Sequence, residues 1–248
     1  MSIFLVGSSE MREFGGASDA VAEFVGEAAQ VAAFRERALG PRIAMIIVHE
    51  GDAENRVRHL EGILRQAVSD AKLPDARFIS VLVAEGEAVA VDLLEDVDAV
   101  VVAGGLTPAY RKALHSGVEQ IRALVSDGVP YLGFSAGAQL AAEAAMIGGW
   151  RIGGVPVVSQ RFAEGLDEVS VAQGIGLIDI TVDVHAAQWG TLTRLIASVE
   201  AGLMETGIAI DENTALVVGQ GALRVIGDGS VWRVQQSDRG VLVSSLGV

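Results

Sequence analysis

Short apolar runs dense in β-branched residues recur along the first half of this chain. Each is closed by a glycine or polar break and followed by a helical pattern. No other feature restricts the fold as much. The run Arg42-Ile43-Ala44-Met45-Ile46-Ile47-Val48 is the clearest, too short for a stand-alone helix and bounded by polar residues. Asn55 to Ala71 predicts a helix, with Val57, Leu60, Ile63, Leu64, Ala67 and Val68 on one face. Further strands are expected at Phe78 to Val83 and at Ala99 to Ala103, the second ending in Gly104-Gly105. Thr107-Pro108 reads as a helix start, a capping hydroxyl followed by proline in the first turn. Leu114, Val118, Ile121, Leu124 and Val125 give that helix its apolar face, and Asp127-Gly128 closes it before a strand at Val129 to Gly133. Near-continuous apolar strands alternating with helices predict a mainly parallel sheet covered on both faces, with ligands beyond the carboxyl ends of the strands. The last forty residues differ. Ala215 to Val218, Ala222 to Ile226, Val231 to Gln235 and Val241 to Ser244 are short runs between Gly/Asp turns, expected as antiparallel edge strands.

No Pro-rich or Gly/Ser-rich stretch divides the 248 residues, so one domain over 1–248 is expected. Half the residues are hydrophobic, enough for a large core. The net charge of −14 argues against nucleic acid and anionic membranes as partners, because phosphate would be repelled. With no cysteine, thiol catalysis and Cys-ligated metals are excluded, and four histidines are few for a zinc enzyme. No metal or cofactor is therefore expected. No segment offers the ~18 uncharged apolar residues of a membrane helix. The apolar run at Met1 to Gly7 lacks a leading positive charge and is too short for a signal peptide, so it is expected as a first strand of a cytoplasmic protein.

Chemistry enters at Gly133-Phe134-Ser135-Ala136-Gly137, which fits the G-x-S-x-G nucleophile elbow. A strand precedes it, and an Ala-rich helical run follows (Ala138, Leu140, Ala141, Ala142, Ala144, Ala145). Small neighbours relieve the crowding of a sharp strand-to-helix turn. Backbone N–H groups of Ala136 and of Gly104 or Gly105 are the natural donors to an oxyanion. Among candidate bases, His59 and His115 sit within helical patterns and are expected to be solvated or packed. His49 ends a strand on the ligand edge and is a candidate pocket residue. His185 ends the run Ile178 to Val184, ahead of Gln188 and a helical stretch at Leu192 to Val199, and is the preferred base.

These residues, in order, resemble a family. Gly-Phe-Ser135-Ala-Gly-Ala, Met146-Ile-Gly-Gly149, Gly174-Ile-Gly-Leu177, Asp183-Val-His185 with Gln188 and Arg194, and Gly207-Ile-Ala-Ile-Asp211-Glu-Asn-Thr-Ala-Leu look like the dipeptidase E and cyanophycinase family of serine peptidases. The resemblance runs from about Ile3 to Val234. It implies a class I glutamine amidotransferase-like, three-layer α/β sandwich in which serine replaces the cysteine nucleophile. It further implies Ser135 as nucleophile and His185 as general base, with a small peptide or related amide as the expected substrate; the elbow's own donors, Ala136 and Gly105, are the expected oxyanion hole. Homodimers, common in that family, are a further expectation. For the third triad member the order Ser, His, Asp of dipeptidase E favours Asp211. Asp183, on the same side of a strand as His185, and Glu143 remain open.

The sequence also departs from the family. Leu106 and Thr107 replace an acidic or amide residue and a glutamine after the double glycine. Trp150 stands where cyanophycinases carry a supporting glutamate. Gln188-Trp189-Gly190-Thr191 replaces Gln-Arg-Gly-Arg, leaving Arg194 of the basic cluster. Thr107, Gln188, Trp189, Arg194 and His49 are the expected pocket residues, with Trp189 as an apolar wall and aspartyl substrates disfavoured. Two other readings stay open: an esterase or amidase using the same Ser–His pair, and a non-catalytic, ligand-binding member of the fold.

Overall fold

A computed structural model describes residues 1–7 and 17–247. Five strands of the central sheet come early in the chain: β1 (Ile3–Val6), β2 (Arg42–His49), β3 (Arg77–Ala84), β4 (Ala99–Val102) and β5 (Tyr131–Phe134). Between them lie α1 (Ser18–Phe34), α2 (Ala53–Asp70), α3 (Thr107–Leu114) and α4 (Val118–Ser126). A short α5 (Ala136–Leu140) follows β5. Four short strands come next: β6 (Ala144–Gly148), β7 (Arg151–Ile152), β8 (Val155–Pro156) and β9 (Ser170–Gln173). The chain then runs through β10 (Thr181–Val184), α6 (Ala186–Trp189), α7 (Thr191–Glu200), β11 (Thr206–Ile210), β12 (Thr214–Val218), β13 (Arg224–Gly227), β14 (Val231–Ser237) and β15 (Gly240–Leu246).

The seven-stranded sheet has the order β13-β12-β1-β5-β4-β2-β3. The pairs β1–β5, β5–β4, β4–β2 and β2–β3 are parallel, while β12 and β13 add an antiparallel edge. Right-handed crossovers fix the layers. The chain moves one way across the sheet from β1 through α1 to β2 and through α2 to β3. It moves the opposite way from β4 through α3 and α4 to β5. The two helix pairs therefore cover opposite faces, giving a three-layer α/β sandwich with a mainly parallel sheet and antiparallel strands late in the chain. Coverage of both faces explains why β1, β4 and β5 are buried at every residue.

A second sheet, β10-β11-β14-β15, carries parallel β10–β11 and antiparallel strands beyond. It has its own small core of Met146, Ala186, Leu195, Val199, Ala209 and Val234. Gly7, just past β1, joins the two sheets: its N–H donates to Thr214 O at 3.0 Å, and its carbonyl accepts from His185 N–H at 3.2 Å. A Cβ at Gly7 would lie 2.2 Å from Asp211 O, so only glycine allows this approach.

Three local expectations are corrected. The helix from Thr107 breaks into α3, a 3₁₀ turn at His115–Gly117, and α4. The Thr107 hydroxyl does not cap it but donates to Gln139 Oε1 at 2.8 Å. The Ala-rich run after Ser135 is helical only to Leu140, and its alanines from Ala144 enter strand β6. Alanine fits either state where packing is tight, so tertiary contacts decided the matter. The late strands are antiparallel as expected, with β12 and β13 in the first sheet and β14 and β15 in the second.

Candidate active site

Ser135 sits where β5 turns into α5, with φ 47° and ψ −105°, a strained conformation for a residue with a Cβ. Its flanks explain how the turn closes. A Cβ on Gly133 would lie 2.5 Å from Gly137 backbone, and a Cβ on Gly137 would lie 2.3 Å from Val102 O. Glycines at both positions let the strand, the turn and β4 pack in contact. Ser135 N–H donates to Val6 O at 2.9 Å, fixing the turn against β1. The side chain thus projects beyond the carboxyl edge of the parallel sheet.

His185 follows β10 with a left-handed backbone, φ 57° and ψ 38°. Its Nε2 lies 2.9 Å from Ser135 Oγ. Its Nδ1 lies 2.9 Å from Glu212 Oε1. A carboxylate only accepts, so Nδ1 carries the proton and Nε2 is left to accept from the serine hydroxyl. Glu212 reaches Nδ1 because β10 and β11 run parallel in register, Val184 opposite Ile210, so their carboxyl ends emerge side by side. Burial pushes the His185 pKa below its ordinary 6.5, outweighing the opposite pull of Glu212.

Asp211, the expected partner of His185, faces elsewhere. Its Oδ1 accepts from Ala187 N–H and Trp232 Nε1–H, both at 3.0 Å, and Oδ2 accepts from Ser230 N–H at 2.9 Å. It braces the loop that carries Glu212. Asp183 is taken by Arg194, through Nε to Oδ2 at 2.9 Å and Nη2 to Oδ1 at 2.7 Å. Glu143 is exposed. The acidic partner is thus the one residue of Asp211-Glu212 that the family order did not favour. Adjacent acids at the end of a strand point in different directions, and nothing in the sequence says which faces His185.

The expected pocket residues separate. Thr107 is fully buried, and its N–H donates to Glu164 Oε2 at 2.9 Å. Arg194 is 2% exposed, with Nη1 also donating to Gly149 O at 3.1 Å and Phe162 O at 3.2 Å. Burial alone would lower its pKa, but the charge of Asp183 prevails and raises it. Neither residue lines an open pocket, because the polar atoms of both are spent inside. Gln188 Oε1 accepts from Glu212 N–H at 2.9 Å and so steadies the Glu212 loop. His49 is not brought to the site: β2 is two strands from β5, and its Nδ1 accepts from Gly51 N–H. Trp189 does adjoin the site, but not as a wall. Its ring lies 3.7 Å from the His185 ring at 9° and 4.6 Å from the Phe162 ring at 12°. Two rings at those distances cannot share one face without overlapping, so both faces of Trp189 are covered.

Ala136 N–H and Gly105 N–H form no hydrogen bond among the described residues. Three neighbours went unrecognised in the sequence. Glu212 and Glu164 are two of them; burial raises the pKa of the second. The third is Arg56, whose Nη2 donates to Gly104 O and to Tyr110 Oη beside the glycine turn. A cavity of about 670 Å³ is lined by residues that include Arg111, His115, Leu140 and Gln173, and neither Ser135 nor His185 lines it. Among the described residues no cluster of three or more His, Asp or Glu is arranged to hold a metal, and no helix is long and apolar enough to cross a membrane.

The sequence pattern of peptidase family S51 matches residues 75–226. Among solved structures, a peptidase from an acI-B1 Actinobacterium superposes with TM-score 0.66 at 20% identity, covering 99% of this chain and 96% of the other. A candidate peptidase E protein from Listeria monocytogenes EGD-e gives TM-score 0.54 at 16% identity, covering 92% and 98%. At such identities the likeness concerns the fold. No curated protein matches the chain.

Proposed function

The chain belongs to peptidase family S51, and on that premise we propose that it is a serine-type hydrolase of small peptides or related amides, working through Ser135, His185 and Glu212. The observation that carries this reading is the continuous relay from the strained Ser135 through His185 to a carboxylate, each link 2.9 Å. Burial keeps the imidazole neutral and ready to accept a proton.

The Ser135 hydroxyl proton passes to His185 Nε2 as Oγ bonds to the substrate carbonyl carbon. The carbonyl oxygen takes the negative charge. Ala136 N–H and Gly105 N–H, with no other partners among the described residues, are the proposed donors to it. The intermediate then collapses. The C–N bond breaks, the leaving nitrogen takes the proton from Nε2, and an acyl-enzyme remains on Ser135. Water gives its proton to Nε2, attacks the acyl carbon, and releases the acid as Oγ regains the proton. Glu212, accepting from Nδ1–H, holds the tautomer and stabilises the imidazolium.

The test is labelling with a fluorophosphonate, read by mass spectrometry, beside hydrolysis of a dipeptide panel that includes isoaspartyl dipeptides. One adduct on Ser135 is expected, absent in Ser135→Ala, with hydrolysis down by about 10⁴ or more. An unlabelled native protein, or a Ser135→Ala variant with native turnover, would reject the reading.

A further inference from the structure

We propose that Trp189 is a positioning residue for His185, holding the plane of the imidazole and stabilising its protonated form through the face of the indole. The proposal rests on the reading of His185 as general base. Three observations carry it.

The first is geometry. The His185 and Trp189 rings are 3.7 Å apart and within 9° of parallel. His185 hydrogen-bonds to Ser135 and Glu212 through its two ring nitrogens, whose N–H and lone pair point in the ring plane, and two such bonds resist rotation of the ring about the line joining them only weakly. A flat ring in contact with the imidazole face blocks that rotation directly.

The second is that Trp189 cannot itself drift. Phe162 covers its other face at 4.6 Å, and the Arg161 guanidinium lies over the Phe162 ring at 5.1 Å. Phe162 is held in turn, since its carbonyl accepts from buried Arg194. Trp189 N–H donates to His185 O at 2.9 Å, which ties the two residues through one turn of backbone. The spacing of four residues and the left-handed His185 bring ring over ring.

The third is electrostatic. His185 becomes a cation during each proton transfer, and burial disfavours that cation. Glu212 at Nδ1 favours it and so does Asp183 nearby, while Arg194 opposes it. Asp211 is turned onto Ala187, Ser230 and Trp232. The negative face of an indole in van der Waals contact is a further source of stabilisation that costs no extra buried charge.

The experiment follows the His185 ring by NMR titration, assigned with His185→Gln, and the rate of fluorophosphonate labelling at Ser135. Trp189→Leu keeps apolar cover but removes the π face; Trp189→Phe keeps a face. The Leu variant should lower the His185 pKa by up to about one pH unit and slow labelling about tenfold. The Phe variant should restore most of both. A Leu variant whose His185 titrates at the native value or higher overturns the proposal, because the ring would then only exclude water. If Leu disrupts folding, trifluorotryptophan in place of all 3 tryptophans keeps the shape and weakens the face. A downward move of His185 is again expected, and no move refutes the idea. A His185 pKa that falls while Ser135 stays unreactive in every protein, native included, supports the stacking role and rejects the nucleophile reading instead.

Discussion

Asp183–Arg194 and Glu212–His185 are neighbouring acid–base couples at the ends of the paired strands β10 and β11. In the first, the side chains are 0% and 2% exposed. Asp183 accepts from Arg194 Nε and Nη2, from Val184 N–H and from Gln139 Nε2, while Arg194 also fills two backbone carbonyls. In the second, Glu212 is 30% exposed, and the imidazole spends one nitrogen on a hydroxyl. One couple is a buried ion pair in which every side-chain nitrogen and oxygen is hydrogen-bonded. The other has an ionisable ring, a left-handed backbone and a hydroxyl partner. Charge and proximity alone do not mark a working site. The proposed site is distinguished by a group whose protonation can change and whose remaining hydrogen bond falls on a hydroxyl.

The largest expected effect tests the second couple. Glu212→Gln replaces the acceptor at Nδ1 with an amide that can present N–H and favour the wrong tautomer. Turnover should fall by up to about 10⁴. Asp211→Asn should leave the acid limb of the pH profile in place, since Asp211 does not touch His185. If Asp211→Asn and not Glu212→Gln removes the rate, the assignment of the acid is wrong.

Breaking the first couple should be felt in stability rather than chemistry. Arg194→Met strands a buried carboxylate and frees two carbonyls, at a cost of about 3–5 kcal/mol in urea unfolding. Asp183→Asn with Arg194→Met should recover part of that loss. A single variant as stable as the native protein would mean that the couple carries no structural weight.

The pH profile sharpens the contrast further. Arg194 stays charged over any usable range, whereas His185, as the proposed general base, must be neutral to accept a proton. Its folded pKa is lowered, so the acid limb of kcat/KM should lie below 6.5. The sign for stability follows from the same shift. Below 6.5 the unfolded chain binds this proton more readily than the folded one, so this contribution to stability is lost as pH falls. A limb above 6.5 would contradict burial as the dominant influence.

The smallest effect concerns substrate charge. With Arg194 spent on Asp183, and Arg151 paired to Asp167 and Glu168, neither offers a free fork to an acidic side chain. Asp-Leu and Ala-Leu should therefore differ by less than about tenfold in kcat/KM, or ~1.4 kcal/mol. A larger Asp-Leu advantage would point to Arg56, the cation beside Gly104.

Much of this molecule could be read from its sequence because short-range rules governed it. The apolar runs at Arg42, Phe78, Ala99 and Tyr131 became parallel strands; those at Arg42, Ala99 and Tyr131 are buried almost throughout, as a sheet covered on both faces requires, while the Phe78 run forms the partly exposed edge strand. The elbow was legible for the same kind of reason: its glycines are demanded by contacts within a few residues of Ser135 and on the next strand. Periodicity failed where alanine satisfied both states, as at Ala144, and where one helical pattern spanned two helices, as at His115.

Ser135 and His185 were thus marked by the sequence itself, each standing at the end of a strand where local pattern predicts an exposed edge. Which carboxylate meets His185, whether Arg194 faces substrate or core, and what Trp189 touches were decided only by the tertiary structure. Each depends on the direction of a side chain relative to an element far away in the chain. Glu212 meets His185 because β10 and β11 pair in parallel register. Arg194 turns inward because Asp183 is buried beneath it. Trp189 lies flat because Phe162, from a separate loop, closes its other face. Direction of that kind follows from register and packing between distant segments, and no local pattern of residues encodes it.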